Sequence, residues 1–252
     1  MNSPSPVRFN CLGCGNKCCT GRFVPLTLDE ASAWLGRGSD VVVILEAFAN
    51  ELPASRSSEY LHHEARSAVV RCGSEHVNLI VILAASNLSG CPHLGPHDAC
   101  TIYDERPLVC RIYPMEINPH IALEPRNKEC PPHAWNGTSG EFLIASDGQP
   151  PADLRVLIEE SRAADRADAV AKVAVCQEMG LTTAAWKHDG IVVHLPDQQR
   201  LKEVIERVSR VSEIDFEIQI RTGTASLEKS LNQNGLAIAQ PSPDSHFFSF
   251  TG

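Results

Sequence analysis

The sequence predicts an α+β protein made of an irregular cysteine-rich metal-binding domain and a small αβαβ C-terminal extension. The first half combines a helix signal at 26–38 with the pattern of a strand pair at 67–85. Residues 86–140 are rich in Pro, Gly, His and Cys and show little periodicity, so a metal centre is the simplest means of ordering them. Periodic hydrophobic patterns resume after the consecutive prolines Pro150 and Pro151. We therefore predict a cysteine-cluster metal-binding domain with helices and a small sheet at 1–150, and an extension at 151–252.

Local signals place the elements of the first half. Thr27 can cap a helix over 26–38, because Glu30 follows three positions later as in a capping box. The apolar run 40–52 fits either a strand leading into a helix or one buried helix, since its periodicity does not separate the two. Two strands joined by a tight turn are predicted at 67–73 and 77–85.

The extension carries two helix signals and two strand signals in alternation. Residues 152–180 are strongly helical, and Gly180 is a typical C-terminal stop. A strand, a helix and an alternating strand follow at 190–196, 197–211 and 213–222. We expect a partly disordered tail from about residue 224, because Ser, Asn and Pro are frequent there.

Composition and charge limit the classes of partner. The chain has 252 residues, of which 43% are hydrophobic, and a formal net charge of −9. An acidic chain without basic clusters is a poor candidate for binding nucleic acid or an anionic membrane surface. No apolar run has the length of a signal peptide core or a membrane span. We therefore predict a cytoplasmic protein with neither nucleic acid nor membrane as a partner.

Ten cysteines in such a chain require an explanation. A reducing compartment disfavours structural disulfides, so dense cysteine there predicts metal or redox chemistry. Cys72 falls in a strand signal and Cys176 in a helix signal, and we expect both to be small buried residues. The other eight fall into two groups and are the candidate metal ligands: Cys11, Cys14, Cys18 and Cys19, then Cys91, Cys100, Cys110 and Cys130.

The number and spacing of these thiols suit a sulfur-ligated centre. Eight is twice the four thiolates that a tetrahedral zinc site or a cubane cluster takes. The short intervals, together with Pro92 and Pro131 directly after cysteines, favour an iron–sulfur cluster of the 4Fe–4S type. The stretch CLGCG also resembles a zinc knuckle, so zinc stays open. We expect the adjacent Cys18 and Cys19 to face opposite ways, as neighbours do in an extended chain.

Charged and aromatic residues bracket Cys110. Arg106, Arg111 and Tyr113 are candidate cofactor-binding residues, and Tyr103 stands at the start of the same block. The arginines could hydrogen-bond to sulfur and form an anion-binding site, or they could pair with neighbouring carboxylates and only order the loop. Both alternatives stay open. Nearby side chains that could offset thiolate charge or replace a ligand are Lys17, His93, His97 and His133. His62 and His63 are expected to be solvated helix residues.

The two motifs together resemble the YkgJ-type cysteine-cluster family, the CxxCxxCC zinc- or iron-chelating domain. The first motif is the run Cys11, Cys14, Cys18 and Cys19; the second is Cys91, then CTIYDERPLVCRIYP from Cys100 to Pro114, then Cys130. Two separated motifs agree in order and composition, and the resemblance covers about residues 8–135.

The resemblance implies a metal or iron–sulfur centre, and it implies much less about activity. One branch is similar to the flagellin lysine N-methylases, which makes a protein substrate and S-adenosylmethionine an alternative. This chain has no G-x-G-x-G loop after a strand, so no motif supports an adenosylmethionine pocket. A non-enzymatic iron or zinc chelator is the third alternative. The sequence leaves the oligomeric state open.

Overall fold

The protein has the α+β fold that the sequence predicts. The computed structural model describes residues 6–11, 17–135, 140–208, 214–241 and 245–250. Its α-helices are α1 Leu28–Gly36, α2 Ser58–Glu64, α3 Leu108–Ile112, α4 Ala152–Ala167, α5 Ala169–Met179, α6 Gln198–Val208 and α7 Ala225–Gln233. Its strands are β1 Val7–Phe9, β2 Phe23–Leu26, β3 Val41–Ala49, β4 Ala68–Cys72, β5 Glu75–Ser86, β6 Glu141–Ile144, β7 Thr183–Trp186, β8 Gly190–His194, β9 Gln219–Arg221 and β10 Ser245–Ser249. Within these described ranges, no helix is both long and apolar enough to cross a bilayer.

The chain divides into two compact units, each assembled from two separate stretches. The cysteine unit comprises Met1–Val24 and Ser86–Ala163, and the sheet unit comprises Pro25–Ala85 and Ala164–Gly252. This division differs from the single boundary near residue 150 that composition indicates. Composition marks where the irregular region ends, whereas the units depend on pairing between strands that are far apart in sequence.

The sheet of the sheet unit is centred on β3 and β5. These two strands pair antiparallel from Val41 opposite Ala85 to Ala49 opposite Val77. β8 pairs antiparallel with the other edge of β3, and β10 pairs with β8. β7 runs parallel to β3 and to β9. The C-terminal strands therefore extend the sheet of the first half, where the sequence predicts an αβαβ extension of its own.

Burial explains why the undecided run at 40–52 forms a strand. Eight of the nine residues of β3 are buried, so its side chains are covered on both faces of the sheet. A central strand of this kind is apolar throughout and does not show the alternation of a half-exposed strand. Neighbouring strands thus decide the conformation that periodicity leaves open.

Local signals are confirmed where the chain supplies its own caps and turns. The Thr27 hydroxyl accepts a hydrogen bond from the Glu30 amide at 3.1 Å, and the Glu30 carboxylate accepts from the Thr27 amide at 2.9 Å. The predicted strand pair forms as β4 and β5. Helix α7 and strand β10 both lie within the tail that is expected to be partly disordered, so the described part of this tail carries ordered elements. Strand β10 is ordered by its pairing with β8, which no local signal reveals.

The cysteine unit has a small apolar cluster beneath its loops. Its buried members are Phe9, Ile112, Ala134, Leu143, Leu154 and Ile158. The short antiparallel pair of β1 and β6 and the first part of α4 supply most of these side chains. Cys11 and Cys130 pack against the same cluster. Much of this unit is loop, as the irregular composition of residues 86–140 predicts.

A buried ion pair at the end of α4 anchors the sheet unit. Asp165 accepts from Lys172 Nζ at 2.9 Å and from Arg66 Nη1 at 2.7 Å, and the Lys172 side chain is only 4% exposed. Burial opposes ionisation of Asp165, but the charges of Lys172 and Arg66 outweigh it and lower the pKa of this carboxyl. Lys172 depends on this carboxylate, because an uncompensated buried ammonium is costly.

Replacing Asp165 with Asn should lower the free energy of unfolding by about 3 kcal/mol, since Lys172 then loses its counter-charge. Urea denaturation measures the change. The matched control is Glu178→Gln, which removes the exposed pair with Arg207 and should cost under about 1 kcal/mol. An equal loss of stability in both variants would contradict this assignment.

Candidate metal centre

Backbone hydrogen bonds bring the first cysteine motif to the second. Cys18 and Cys19 lie in a 3-10 turn, Lys17–Cys19. The Cys91 amide donates to the Cys19 carbonyl oxygen at 2.7 Å, and the Asn87 amide donates to the Arg22 carbonyl oxygen at 3.0 Å. The turn is thereby fixed against the loop that begins after β5, so thiols from the two motifs become neighbours.

A tight loop returns Cys100 to Cys91. The His93 carbonyl oxygen accepts from both the amide and the hydroxyl of Thr101, at 2.9 Å and 3.0 Å. Leu94 and Cys100 form an isolated antiparallel bridge inside this loop. The electrostatic effect of Cys100 on the pKa of Cys91 shows that the two sulfurs lie close together.

Helix α3 carries Cys110 into the same region. Pro107 caps this helix, and the Tyr113 amide donates to the Val109 carbonyl oxygen at 2.9 Å where it ends. Burial first, and then the charges of Cys91, Cys18 and Cys100, together raise the pKa of Cys110 to about 12. The nearby Arg106 guanidinium acts in the opposite direction.

Cys18, Cys91, Cys100 and Cys110 therefore form one electrostatically connected set, which we call the four-thiol group. Burial and mutual repulsion raise the pKa values of Cys91 and Cys110, so the thiols cannot all ionise unless positive charge is added. A thiol-binding cation supplies that charge. The chemistry of this donor set thus fits a sulfur-ligated metal.

The orientation expected for Cys18 and Cys19 is wrong. Their side chains hydrogen-bond to each other, and this bond, followed by burial, raises the pKa of Cys18 well above its usual range. The expectation assumed an extended chain, in which neighbouring side chains diverge. The 3-10 turn instead brings the two sulfurs together.

Two side chains that sequence analysis missed support the thiols. The buried Asn87 side-chain amide and the His93 backbone amide both hydrogen-bond to Cys91 and lower its pKa, against the larger effect of burial. The Arg22 charge lowers the pKa of Cys18. Donors of this kind stabilise thiolates around metals. Arg22 stands four residues after Cys18, which is the only sequence signal that could have marked it.

The remaining predicted ligands lie elsewhere or outside the described residues. Cys11 and Cys130 are half-buried against the apolar cluster. The nearby Cys130 thiol adds to the effect of burial in raising the pKa of Tyr113. Cys14 and the side chain of Lys17 lie outside the described residues. Cys72 and Cys176 are fully buried, as predicted.

A cavity of about 620 Å³ lies beside Cys110. Its lining includes Cys11 and all three predicted cofactor contacts, Arg106, Arg111 and Tyr113. Arg106 is held in place, because its Nε donates to the Tyr103 carbonyl oxygen at 2.8 Å and its guanidinium lies 3.6 Å from the Tyr103 ring centre. The structure thus brings the arginines to one concave surface next to a thiol of the four-thiol group.

The histidines that are predicted as alternative metal ligands differ in their exposure to solvent. His97 and His133 are exposed, and His93 is half-buried with its backbone engaged in the Cys91–Thr101 loop. Among the described residues, no three His, Cys, Asp or Glu side chains are already arranged around a single point as metal ligands. The four thiols lie within electrostatic reach of one another without standing in coordination geometry.

Comparison with known protein families agrees with this site. Residues 10–131 match the CxxCxxCC family, described as "Putative zinc- or iron-chelating domain". The match spans the four-thiol group together with Cys11 and Cys130, and it confirms the resemblance that the two cysteine motifs indicate. Searches of curated proteins and of solved structures find no match to the chain.

In the reduced, metal-free protein, alkylation of Cys110 at pH 8 should be slower than in the denatured protein by about three orders of magnitude. The thiolate is the reactive form, and burial together with the neighbouring cysteines raises the pKa of Cys110 from 9.0 to about 12, so the rate should keep rising with pH up to that value. Mass spectrometry of the Cys110 peptide measures the rate.

Arg106→Gln should slow this alkylation further, because the Arg106 charge lowers the pKa of Cys110. Exposed Arg126, whose carboxylate partner is Glu124, gives the matched control Arg126→Gln, which should leave the rate unchanged. Equal rates for Cys110 in folded and denatured protein would contradict the account.

Proposed function

We propose that this protein holds a metal centre on the thiolates of Cys18, Cys91, Cys100 and Cys110, and that the centre is an iron–sulfur cluster. The observation that supports the proposal is the four-thiol group itself. Its members come from the turn at Cys18, from the loop that carries both Cys91 and Cys100, and from α3, yet they lie within electrostatic reach of one another. A set of four thiolates matches both a cubane cluster and a tetrahedral zinc site.

The surroundings of the thiols favour a charged sulfur site over four inert buried cysteines. Cys91 receives hydrogen bonds from the Asn87 side chain and the His93 amide, and Arg22 and Arg106 lie near Cys18 and Cys110. Buried cysteines that bind no metal need neither hydrogen-bond donors to sulfur nor charged side chains nearby. Cys176 illustrates the contrast, because burial alone raises its pKa.

The choice of iron–sulfur over zinc rests on the sequence. Closely spaced cysteines and prolines directly after Cys91 and Cys130 are typical of cluster-binding loops. Cys19, Cys11, Cys14 and Cys130 stay proposed ligands of the same or a second site. Cys19 has the strongest structural support of these, because it hydrogen-bonds with Cys18. We keep the cytoplasmic location as a prediction, since a reducing compartment preserves such thiols.

The cavity beside Cys110 is the proposed place of a cofactor or substrate. Arg106 and Arg111 give it positive charge and Tyr113 gives it a hydroxyl, so it would accept an anionic group next to the metal centre. A protein lysine N-methylase activity stays a prediction from the resemblance alone, as does the role of a simple chelator.

The direct test is the metal content of protein purified without oxygen. We expect iron and acid-labile sulfide in comparable amounts, with a broad visible absorption. A colourless protein with stoichiometric zinc would contradict the iron–sulfur assignment but would still support a metal site made of thiolates. A protein without bound metal would overturn the whole proposal.

Single variants then assign the ligands. Cys91→Ala and Cys110→Ala should each reduce bound metal at least about tenfold, because three thiolates cannot complete either type of site. Cys176→Ala is the matched control, since this cysteine is fully buried in the sheet unit, and its metal content should match that of the wild type. Equal metal loss in all three variants would indicate general unfolding and contradict the assignment.

A further inference from the structure

A second cavity lies in the sheet unit, where two parallel strands end side by side. Strands β3 and β7 are parallel, with Glu46 opposite Ala185 and Ala47 opposite Trp186. The Lys187 amide donates to the Ala47 carbonyl oxygen at 2.8 Å and continues the pairing beyond β7. The carboxyl ends of parallel strands are a recurrent position for ligand-binding crevices.

Helix α2 forms the other wall of this cavity, which has a volume of about 290 Å³. Its lining is mostly polar and includes Glu51, Glu59, Tyr60, His63, Lys187 and His188. The Tyr60 hydroxyl accepts from the Asn78 side chain at 2.9 Å and from the Glu51 amide at 3.0 Å. Its phenol also packs edge-on against Phe48, with ring centres 5.5 Å apart. This wall is therefore fixed before any ligand arrives.

His63 is the most unusual side chain of this cavity. Its imidazole is only 12% exposed, and its buried Nδ1 has no hydrogen-bond partner among the residues that the structure describes. The expectation that this histidine is solvated is therefore wrong; it packs against Phe48 with ring centres 6.3 Å apart. Buried polar atoms usually have partners, so an orphaned nitrogen in a cavity indicates a place for a ligand or water.

Neighbouring basic groups oppose protonation of His63. Burial first, and then the charges of Lys187, Arg66, His62 and His188, together lower its pKa to about 3. The Glu59 carboxylate is the nearest negative group, but it stands 3.9 Å from Nε2 and is 56% exposed. The imidazole is thus neutral and can donate one hydrogen bond into a region that favours negative charge.

Lys187 is the cation that a ligand would meet. Its side chain is 13% exposed, and its Nζ lies 3.7 Å from Glu46 Oε2, which is longer than a hydrogen bond. The ammonium group therefore keeps donors available. His188 follows with φ of 70°, an uncommon backbone conformation for this residue type that recurs at functional sites.

We propose that this cavity binds a small carboxylate, with the carboxylate group held between Lys187 Nζ and the His63 imidazole. The site belongs to the sheet unit and is independent of the proposed metal centre. The small volume limits the ligand to a few heavy atoms. Exposed Glu51 and Glu59 at the rim disfavour a dianion such as phosphate, which carries more charge than one ammonium compensates.

Sodium acetate is the first probe, followed by NMR of the histidine side chains in the full-length chain. At neutral pH, where acetate is ionised, acetate should shift the His63 resonances saturably, because a carboxylate bound beside the imidazole changes its hydrogen bonding. Exposed His76 should not respond. Lys187→Met, which keeps the apolar stem, should weaken acetate binding at least about tenfold, the loss expected for one charged hydrogen bond.

Controls separate this site from general anion effects and from unfolding. Lys229→Met removes an exposed lysine of α7 and should bind acetate like the wild type. His63→Gln, followed by calorimetry, covers the case in which Lys187→Met fails to fold; it too should weaken binding. The proposal is overturned if acetate produces no saturable His63 shift, if methylammonium chloride produces the same shift, or if inorganic phosphate binds more tightly than acetate.

Discussion

The cysteine unit depends on one electrostatic constraint, which is that neighbouring half-buried thiolates repel each other and resist losing their protons. Cys18, Cys91 and Cys110 all have raised pKa values, and for each of them other cysteines contribute to the rise. Arg22 and Arg106 offset only part of this effect. A cation bound to the sulfurs reverses the balance, because the same proximity that repels bare thiolates then permits shared coordination.

This constraint also explains the loop-rich construction of the unit. Residues 86–140 supply only a few members of the apolar cluster, and most of the secondary structure there consists of short turns. A metal that binds thiolates from two loops and one helix would contribute folding free energy directly, as structural metal sites do. The hydrogen bonds between Cys91 and Cys19, and between Asn87 and Arg22, already place those loops close together.

Sequence signals that act over a few residues predicted the structure well. The capping box at Thr27, the β4–β5 hairpin, the buried Cys72 and Cys176 and the two cysteine motifs are all of this kind. Long-range pairing could not be predicted in this way. The apolar pattern of β3 does not reveal that β7 and β8 pair with it, nor does the pattern of the last residues reveal that β10 pairs with β8.

The site shows the same limit at the level of side chains. The cysteine motifs identify the thiols of the four-thiol group. They do not identify Asn87 or Arg22, because only folding of the chain brings these residues close to the sulfurs. His63 and Lys187 are 124 residues apart and meet because β3 and β7 run parallel. No sequence motif of fixed spacing connects these two residues.

X-ray absorption at the metal edge tests the central claim most directly, because it counts the atoms bound to the metal. On wild-type protein purified without oxygen, the account predicts four sulfur neighbours per metal ion at about 2.3 Å, whether the metal is iron or zinc. A first shell made only of nitrogen and oxygen atoms would contradict a thiolate centre in this protein.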